Sequence, residues 1–185
     1  MARLPIATRE SLAENQRAAF DDIVQGAGAV PQFGPGSVMI HAPVVSKLAT
    51  ALNQYLRNES VIPLKIQEMA MLITAREKDC QHIWNAHAAS AREAGVQDHI
   101  VDGIRENWEL EDLEADEEAL VNYAREIFQN NHASRGAYQA ALEQFGTQGL
   151  IELTVLLGNY ALLALCINAF DSDLPPNRTE SILPV

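Results

Sequence analysis

The sequence predicts an all-α protein of about seven to eight helices. Apolar residues recur at i, i+3 and i+4 along most of its 185 residues. No stretch reads as a strand, and Pro and Gly mark the boundaries of the periodic segments.

Residues 9–25 carry Leu12, Phe20, Ile23 and Val24 at helical recurrence and stop at Gly26-Ala27-Gly28. Residues 30–36 hold two prolines and two glycines and are expected as a loop. Pro43 opens a helix over 43–57, with Val44, Leu48, Leu52 and Leu56 four apart. Pro63 opens the next, to Glu77, and Asp79 is the expected N-cap of one running to Ala94 and ended by Gly95. A short helix over 97–107 leads to an acidic connection at 109–118, then an amphipathic helix over 119–129. Ser134 caps a helix to Phe145, Gly146 stops it, and a long apolar helix over 148–170 follows. Residues after Leu174 read as an extended arm that packs on a neighbouring subunit.

The length fits one domain over 1–185, with a core at about 31–175, an N-terminal helix at 9–25 and a C-terminal arm at 175–185. A formal charge of −12 argues against nucleic acid, whose phosphates demand a basic face, and against an anionic membrane surface. The charge-free run from Leu153 to Phe170 sits at the lower limit for a spanning helix. Asn159, Tyr160 and Asn168 interrupt it and no basic flank anchors it, so a helix buried in the core or between subunits is expected. Cys80 and Cys166 form no Cys-rich framework, and the first residues lack a signal peptide's apolar centre; both point to the reducing cytoplasm.

The chemistry concentrates in two middle helices. Cys80, Ile83, Trp84, His87, Ala91 and Ala94 share one helical stripe; Leu64, Glu68, Leu72 and Ala75 share another. The short connection at Lys78-Asp79 makes these helices neighbours, so Glu68 can face Cys80 and His87. Cys80, in the first helical turn, sits where partial positive charge favours a thiolate. His87 can exchange a proton, and Glu68 can orient its imidazole. Singly, each has a structural alternative: a small buried hydrophobe, a carbonyl donor, a helix bridge. Arg76, near the turn, is the first candidate cation for an anionic substrate, with Arg57 second. His82 lies about 160° from Cys80 around its helix, at a site edge or subunit contact. His41 has helix entry as its bland role. His82 and His87, five apart, do not have the spacing of a helical zinc pair, and no metal is expected.

The spacing Glu68-x11-Cys80-x6-His87 resembles that of the carboxymuconolactone decarboxylase and alkylhydroperoxidase D-like superfamily. The words Cys80-x-His82-x-Trp84-x-x-His87, Ala94-Gly95-Val96 and Phe145-Gly146-x-x-Gly149-Leu150-Ile151-Glu152-Leu153 agree with it, over about residues 31–175. The redox branch carries Cys-x-x-Cys-x-x-x-His, and here Ile83 replaces the second, peroxidatic cysteine. The resemblance therefore implies the decarboxylase-like branch: cofactor-free loss of carbon dioxide from a carboxylated lactone, with Glu68, Cys80 and His87 as catalytic candidates. Trp84, Arg76, His82 and Ile83 are then the candidate substrate-binding residues, with Trp84 as an apolar wall. The resemblance also implies a homotrimer or homohexamer acting on a small molecule. The alternatives are a thiol-dependent peroxidase using Cys80 and a non-catalytic helical oligomer in which Glu68 and His87 are a structural pair.

Overall fold

The computed structural model describes residues 2–178 and 180–185. These form a 3-10 turn at Arg9–Ser11 and helices α1 (Glu14–Ala27), α2 (Gly34–Met39), α3 (Pro43–Asn58), α4 (Leu64–Glu77), α5 (Gln81–Glu93), α6 (Asp98–Glu106), α7 (Ala115–Asn130) and α8 (Arg135–Ala169), with no strand among the described residues. The all-α expectation holds.

The helix α4 is the axis of the fold. It packs against α5, α6, α7 and α8, and every residue from Ile66 to Ala75 is buried. An element surrounded on all sides has no solvent face, so its apolar residues spread round the whole circumference. The stripe expected on it is correspondingly blurred: Leu64 is exposed, whereas Met69, Ala70 and Ile73 are core. A second small core of Ala7, Leu12, Phe20 and Ile40 lies where the N-terminal segment and α1 meet the region of α2 and α3.

Several boundaries differ from expectation for local reasons. The N-terminal helix is broken because Thr8 and Ser11 form a reciprocal capping box that closes a 3-10 turn before α1 begins. The loop expected at 30–36 gives way to α2, which starts at Gly34 with Pro35 in its first turn, where a missing N–H costs nothing. Asp79 does not cap α5. It adopts a left-handed conformation (φ 47°) and pairs with Arg76, leaving Cys80 as N-cap. The acidic stretch 109–118 is partly helical, since Glu114 and Glu117 form a capping box that starts α7 at Ala115. Glu117 is fully buried there, 2.8 Å from Lys65 Nζ.

Gly146 interrupts α8 with φ 66° and ψ 176°, a conformation essentially open only to glycine. The helix resumes at once, so the break turns the chain without inserting a loop. Composition and length alone would allow α8 to cross a membrane, but half of its apolar window is buried inside the chain. The remaining face exposes Ile151, Val155, Leu162 and Leu165.

The C-terminal arm packs on its own chain. Trp84 Nε1 donates to the Ser181 carbonyl (3.0 Å), Arg105 Nε to Ile182 (2.9 Å) and an Arg76 guanidinium nitrogen to Pro184 (2.6 Å). Leu183 is fully buried in the main core. Leu183→Ala is expected to cost about 2 kcal/mol, the low end for a buried leucine because a terminal segment can relax. The midpoint of a urea titration at unchanged slope checks this, and an unshifted midpoint would mean that the arm does not contribute to the core.

Candidate active site

A carboxylate in the centre of α4 governs the site. Glu68 is 1% exposed, and both of its oxygens are engaged. Oε2 lies 2.8 Å from His87 Nδ1 on α5, and Oε1 lies 2.8 Å from an Arg57 guanidinium nitrogen at the C-terminal end of α3. The other terminal nitrogen of Arg57 is 2.9 Å from Met71 Sδ, 3.5 Å from the Tyr160 hydroxyl and 3.5 Å from His87 Nδ1. Tyr160, on α8, meets His87 edge to face, with ring centroids 5.3 Å apart at 78°.

The distances assign the tautomer. Nδ1 can donate to Glu68 or accept from Arg57, but not both. The 2.8 Å contact to a carboxylate outweighs a 3.5 Å contact to a guanidinium, so Nδ1–H points to Glu68. Nε2 is then the free basic atom of the neutral ring and the acidic one of the charged ring. Burial pushes the Glu68 carboxyl up, but the hydrogen bonds and charges of His87 and Arg57 outweigh it and hold the group below its ordinary value. The His87 and Arg57 side chains keep 15% and 25% exposure, so solvent reaches the pair while the carboxylate stays dry.

Of the residues expected at the site, Glu68 and His87 come together as the sequence suggests. Arg57, ranked second among the cations, stands at the pair. Arg76, ranked first, is bound to Asp79, Arg105 and the arm. Cys80 is fully buried, and no hydrogen bond joins it to Glu68 or His87 among the described residues. Burial pushes its thiol up; the backbone N–H groups of Ile83 and His82 pull it down but do not prevail. The expected thiolate is thus a neutral thiol at neutral pH, because desolvation exceeds the helix-terminus effect.

Trp84 is 1% exposed and Ile83 3%, both in the main core, with Trp84 beneath the arm. His82 is half-buried. Its ring fills the space beside Gly34, where a Cβ would collide with it and where φ is 64°. Its Nδ1 is buried with no protein partner, and burial, then the His87 charge, lowers its pKa. His41 Nε2 lies 3.1 Å from the Pro5 carbonyl, in the N-terminal packing. No group of three His, Cys, Asp or Glu side chains among the described residues is arranged to hold a metal.

A cavity of about 720 Å³ opens between α3 and α8, lined by Leu52, Tyr55, Leu56, Ile151 and Val155 with Glu152 at its polar edge. Glu152 is another buried carboxylate, which the sequence did not single out as charged chemistry. It accepts from the Tyr55 hydroxyl (2.8 Å), Gln148 Nε2 (2.9 Å) and the Val61 N–H (2.8 Å), pinning the α3–α4 turn to α8.

No protein-family model and no curated protein matches the chain. Solved structures do. An uncharacterised peroxidase-related protein with an alkylhydroperoxidase AhpD core, from Ralstonia eutropha JMP134, superposes with a TM-score of 0.73 at 17% identity, over 95% of this chain and 93% of its own. A peroxidase-related protein from Silicibacter sp. TM1040 gives 0.68 at 17% identity, over 95% and 92%. The debrominase Bmp8 gives 0.64 at 14%, over 93% and 91%. A cysteine-to-alanine variant of that debrominase, in complex with 2,3,4-tribromopyrrole, gives 0.65 at 14%, over 95% and 92%. The fold is therefore the alkylhydroperoxidase D-like helical fold, as the sequence resemblance implies.

The buried pair makes stability depend on pH in a definite direction. The folded-state pKa of Glu68 lies below its unfolded value, so its contribution is full above the ordinary carboxylate value of 4.5 and is lost as pH falls through the lower folded value. Glu68→Gln is expected to be less stable than the parent by about 3 kcal/mol at neutral pH, with the gap narrowing as pH falls from neutrality through the lowered Glu68 value. Urea titrations of both proteins across that range measure it; a gap that stays constant would show that the carboxylate is not ion-paired.

Proposed function

We propose that this chain is a cofactor-free acid/base enzyme of the carboxymuconolactone decarboxylase-like kind. Its substrate class is a small carboxylated lactone or a related intermediate of aromatic-compound breakdown. The observation that carries the reading is the Glu68-oriented His87, with Nδ1 fixed by the carboxylate and Nε2 free. Glu68, 1% exposed and held ionised by two basic partners, is shielded from solvent protons and suits orientation better than proton delivery.

Arg57, a quarter exposed, presents the remaining N–H donors of its guanidinium to a substrate anion. The carbon–carboxylate bond breaks, carbon dioxide leaves, and the electron pair passes into the lactone as a dienolate whose oxygen Arg57 stabilises. Protonated His87 gives its Nε2 proton to the carbanionic carbon and returns to the neutral ring, which solvent reprotonates. Glu68 remains ionised throughout and stabilises the imidazolium between turnovers. Positioned acid catalysis of this kind is worth about 10²- to 10⁴-fold.

A second reading is thiol chemistry at Cys80. It is favoured by the debrominase likeness, where a cysteine-to-alanine variant holds the halogenated pyrrole. The full burial of Cys80 and its raised pKa weigh against it, and Ile83 leaves no adjacent cysteine for a disulfide cycle. The two readings separate cleanly. His87→Gln is expected to lose at least about 100-fold in kcat on a carboxylated lactone with its thermal midpoint near the parent's, while Cys80→Ala keeps activity. An active His87→Gln variant, or an inactive Cys80→Ala variant that still folds, would move the chemistry to the thiol.

We also infer a homo-oligomer in the cytoplasm. Val45 and Leu48 on α3, and Ile151, Leu162 and Leu165 on α8, are exposed apolar side chains on a chain otherwise rich in acid groups. Sedimentation is expected to give a trimer or hexamer that Leu165→Glu dissociates; a monomeric parent would refute the inference.

A further inference from the structure

The tautomer of His87 depends on a guanidinium that sits close enough to disturb it. Arg57 approaches Nδ1 to 3.5 Å with the same nitrogen that contacts Met71 Sδ and the Tyr160 hydroxyl. Were that nitrogen to swing fully onto Nδ1, it would donate there, the ring proton would move to Nε2, and the bond to Glu68 would break. Something must therefore hold the guanidinium off the imidazole.

We propose that Tyr160 is a positioning residue that sets the His87 tautomer, its hydroxyl holding the Arg57 guanidinium aside and its ring fixing the plane of the imidazole. The geometry for both actions is present. The hydroxyl accepts from Arg57 at 3.5 Å, and the rings stand at 78° with centroids 5.3 Å apart, so rotation of His87 is blocked on that side. The tyrosine itself is well held. It is 4% exposed, and its neighbour Asn159 donates from Nδ2 to Asn53 Oδ1 at 3.1 Å, locking this turn of α8 to α3 one turn before Arg57. Met71 Sδ supplies a second, weaker acceptor on the same nitrogen.

The inference deepens the acid/base reading and rests on it for its catalytic meaning, but its physical content concerns the free protein. Phenylalanine keeps the ring and deletes the hydroxyl, so Tyr160→Phe releases Arg57 without opening the core. Nitrogen-15 NMR of the imidazole, recorded in substrate-free protein at a pH high enough to leave the ring neutral, reads the tautomer directly. The parent is expected to carry its proton on Nδ1; Tyr160→Phe is expected to show a mixture with the Nε2–H form. Removing the competitor as well, in Tyr160→Phe/Arg57→Met, should restore the Nδ1–H form, which a merely structural role for Tyr160 would not predict.

The companion kinetic expectation is a fall of roughly tenfold in kcat/KM for Tyr160→Phe, since a guanidinium donating to Nδ1 breaks the bond to Glu68 and disfavours the imidazolium that delivers the Nε2 proton. A parent-like tautomer in Tyr160→Phe, or a double variant no different from the single one, overturns the proposal. Should His87→Gln prove fully active, the acid/base reading fails, yet the tautomer measurement still decides the role of Tyr160. If Tyr160→Phe does not fold, Met71→Leu removes the other acceptor from the same nitrogen. It is expected to shift the tautomer in the same direction, and an unchanged ring in that variant overturns the proposal equally.

Discussion

An ionised carboxylate at the centre of α4 is the constraint around which the molecule is arranged. Every residue from Ile66 to Ala75 is buried, so Glu68 has no route to bulk water along its own helix. An unpaired carboxylate there would cost several kcal/mol. The chain meets that cost by bringing Arg57 from α3 and His87 from α5 to opposite oxygens, with Tyr160 of α8 closing the group. Four helices are thus tied by one charge. The site and the packing of the core are consequently the same set of contacts, and the exposed portions of His87 and Arg57 are the outer edge of an otherwise dry cluster.

Glu68 and His87 were legible in the sequence because a carboxylate and an imidazole on apolar helical stripes demand an explanation, and the short turn between their helices makes them neighbours. Arg57 was harder. Arg76 lies nearer the turn along the chain, and only the placement of the C-terminal end of α3 beside Glu68 reverses that order. Tyr160 stood out only as a polar interruption of a long apolar run, and nothing in its spacing tied it to Glu68 or His87. Cys80 was misjudged in its ionisation for a related reason: periodicity reports position on a helix but not how completely a neighbouring segment covers it. The helix count survived, while boundaries shifted wherever side chains bonded to backbone, at Thr8 and Ser11 or at Glu114 and Glu117.

The same helical fold hosts proteins described as peroxidase-related and a debrominase, at identities of 14–17%. Likeness at that level speaks for the path of the backbone, and chemistry must be argued from side chains. In this chain the position of the second redox cysteine is the buried Ile83, and the titratable partners are nitrogen and carboxylate groups.

The break at Gly146 has a consequence for overall dimensions. At 1.5 Å per residue, an unbroken α8 of 35 residues would be a rod of about 52 Å. A compact chain of this size has a radius of gyration of about 16 Å and hence a diameter near 40 Å, so a straight rod would protrude from its own globule. One residue without a side chain kinks that rod. The two segments of α8 on either side of it need not share one axis while the helix packs against α4 and α7. Any Cβ at that position would set the backbone's preferred conformation against the size of the body it belongs to.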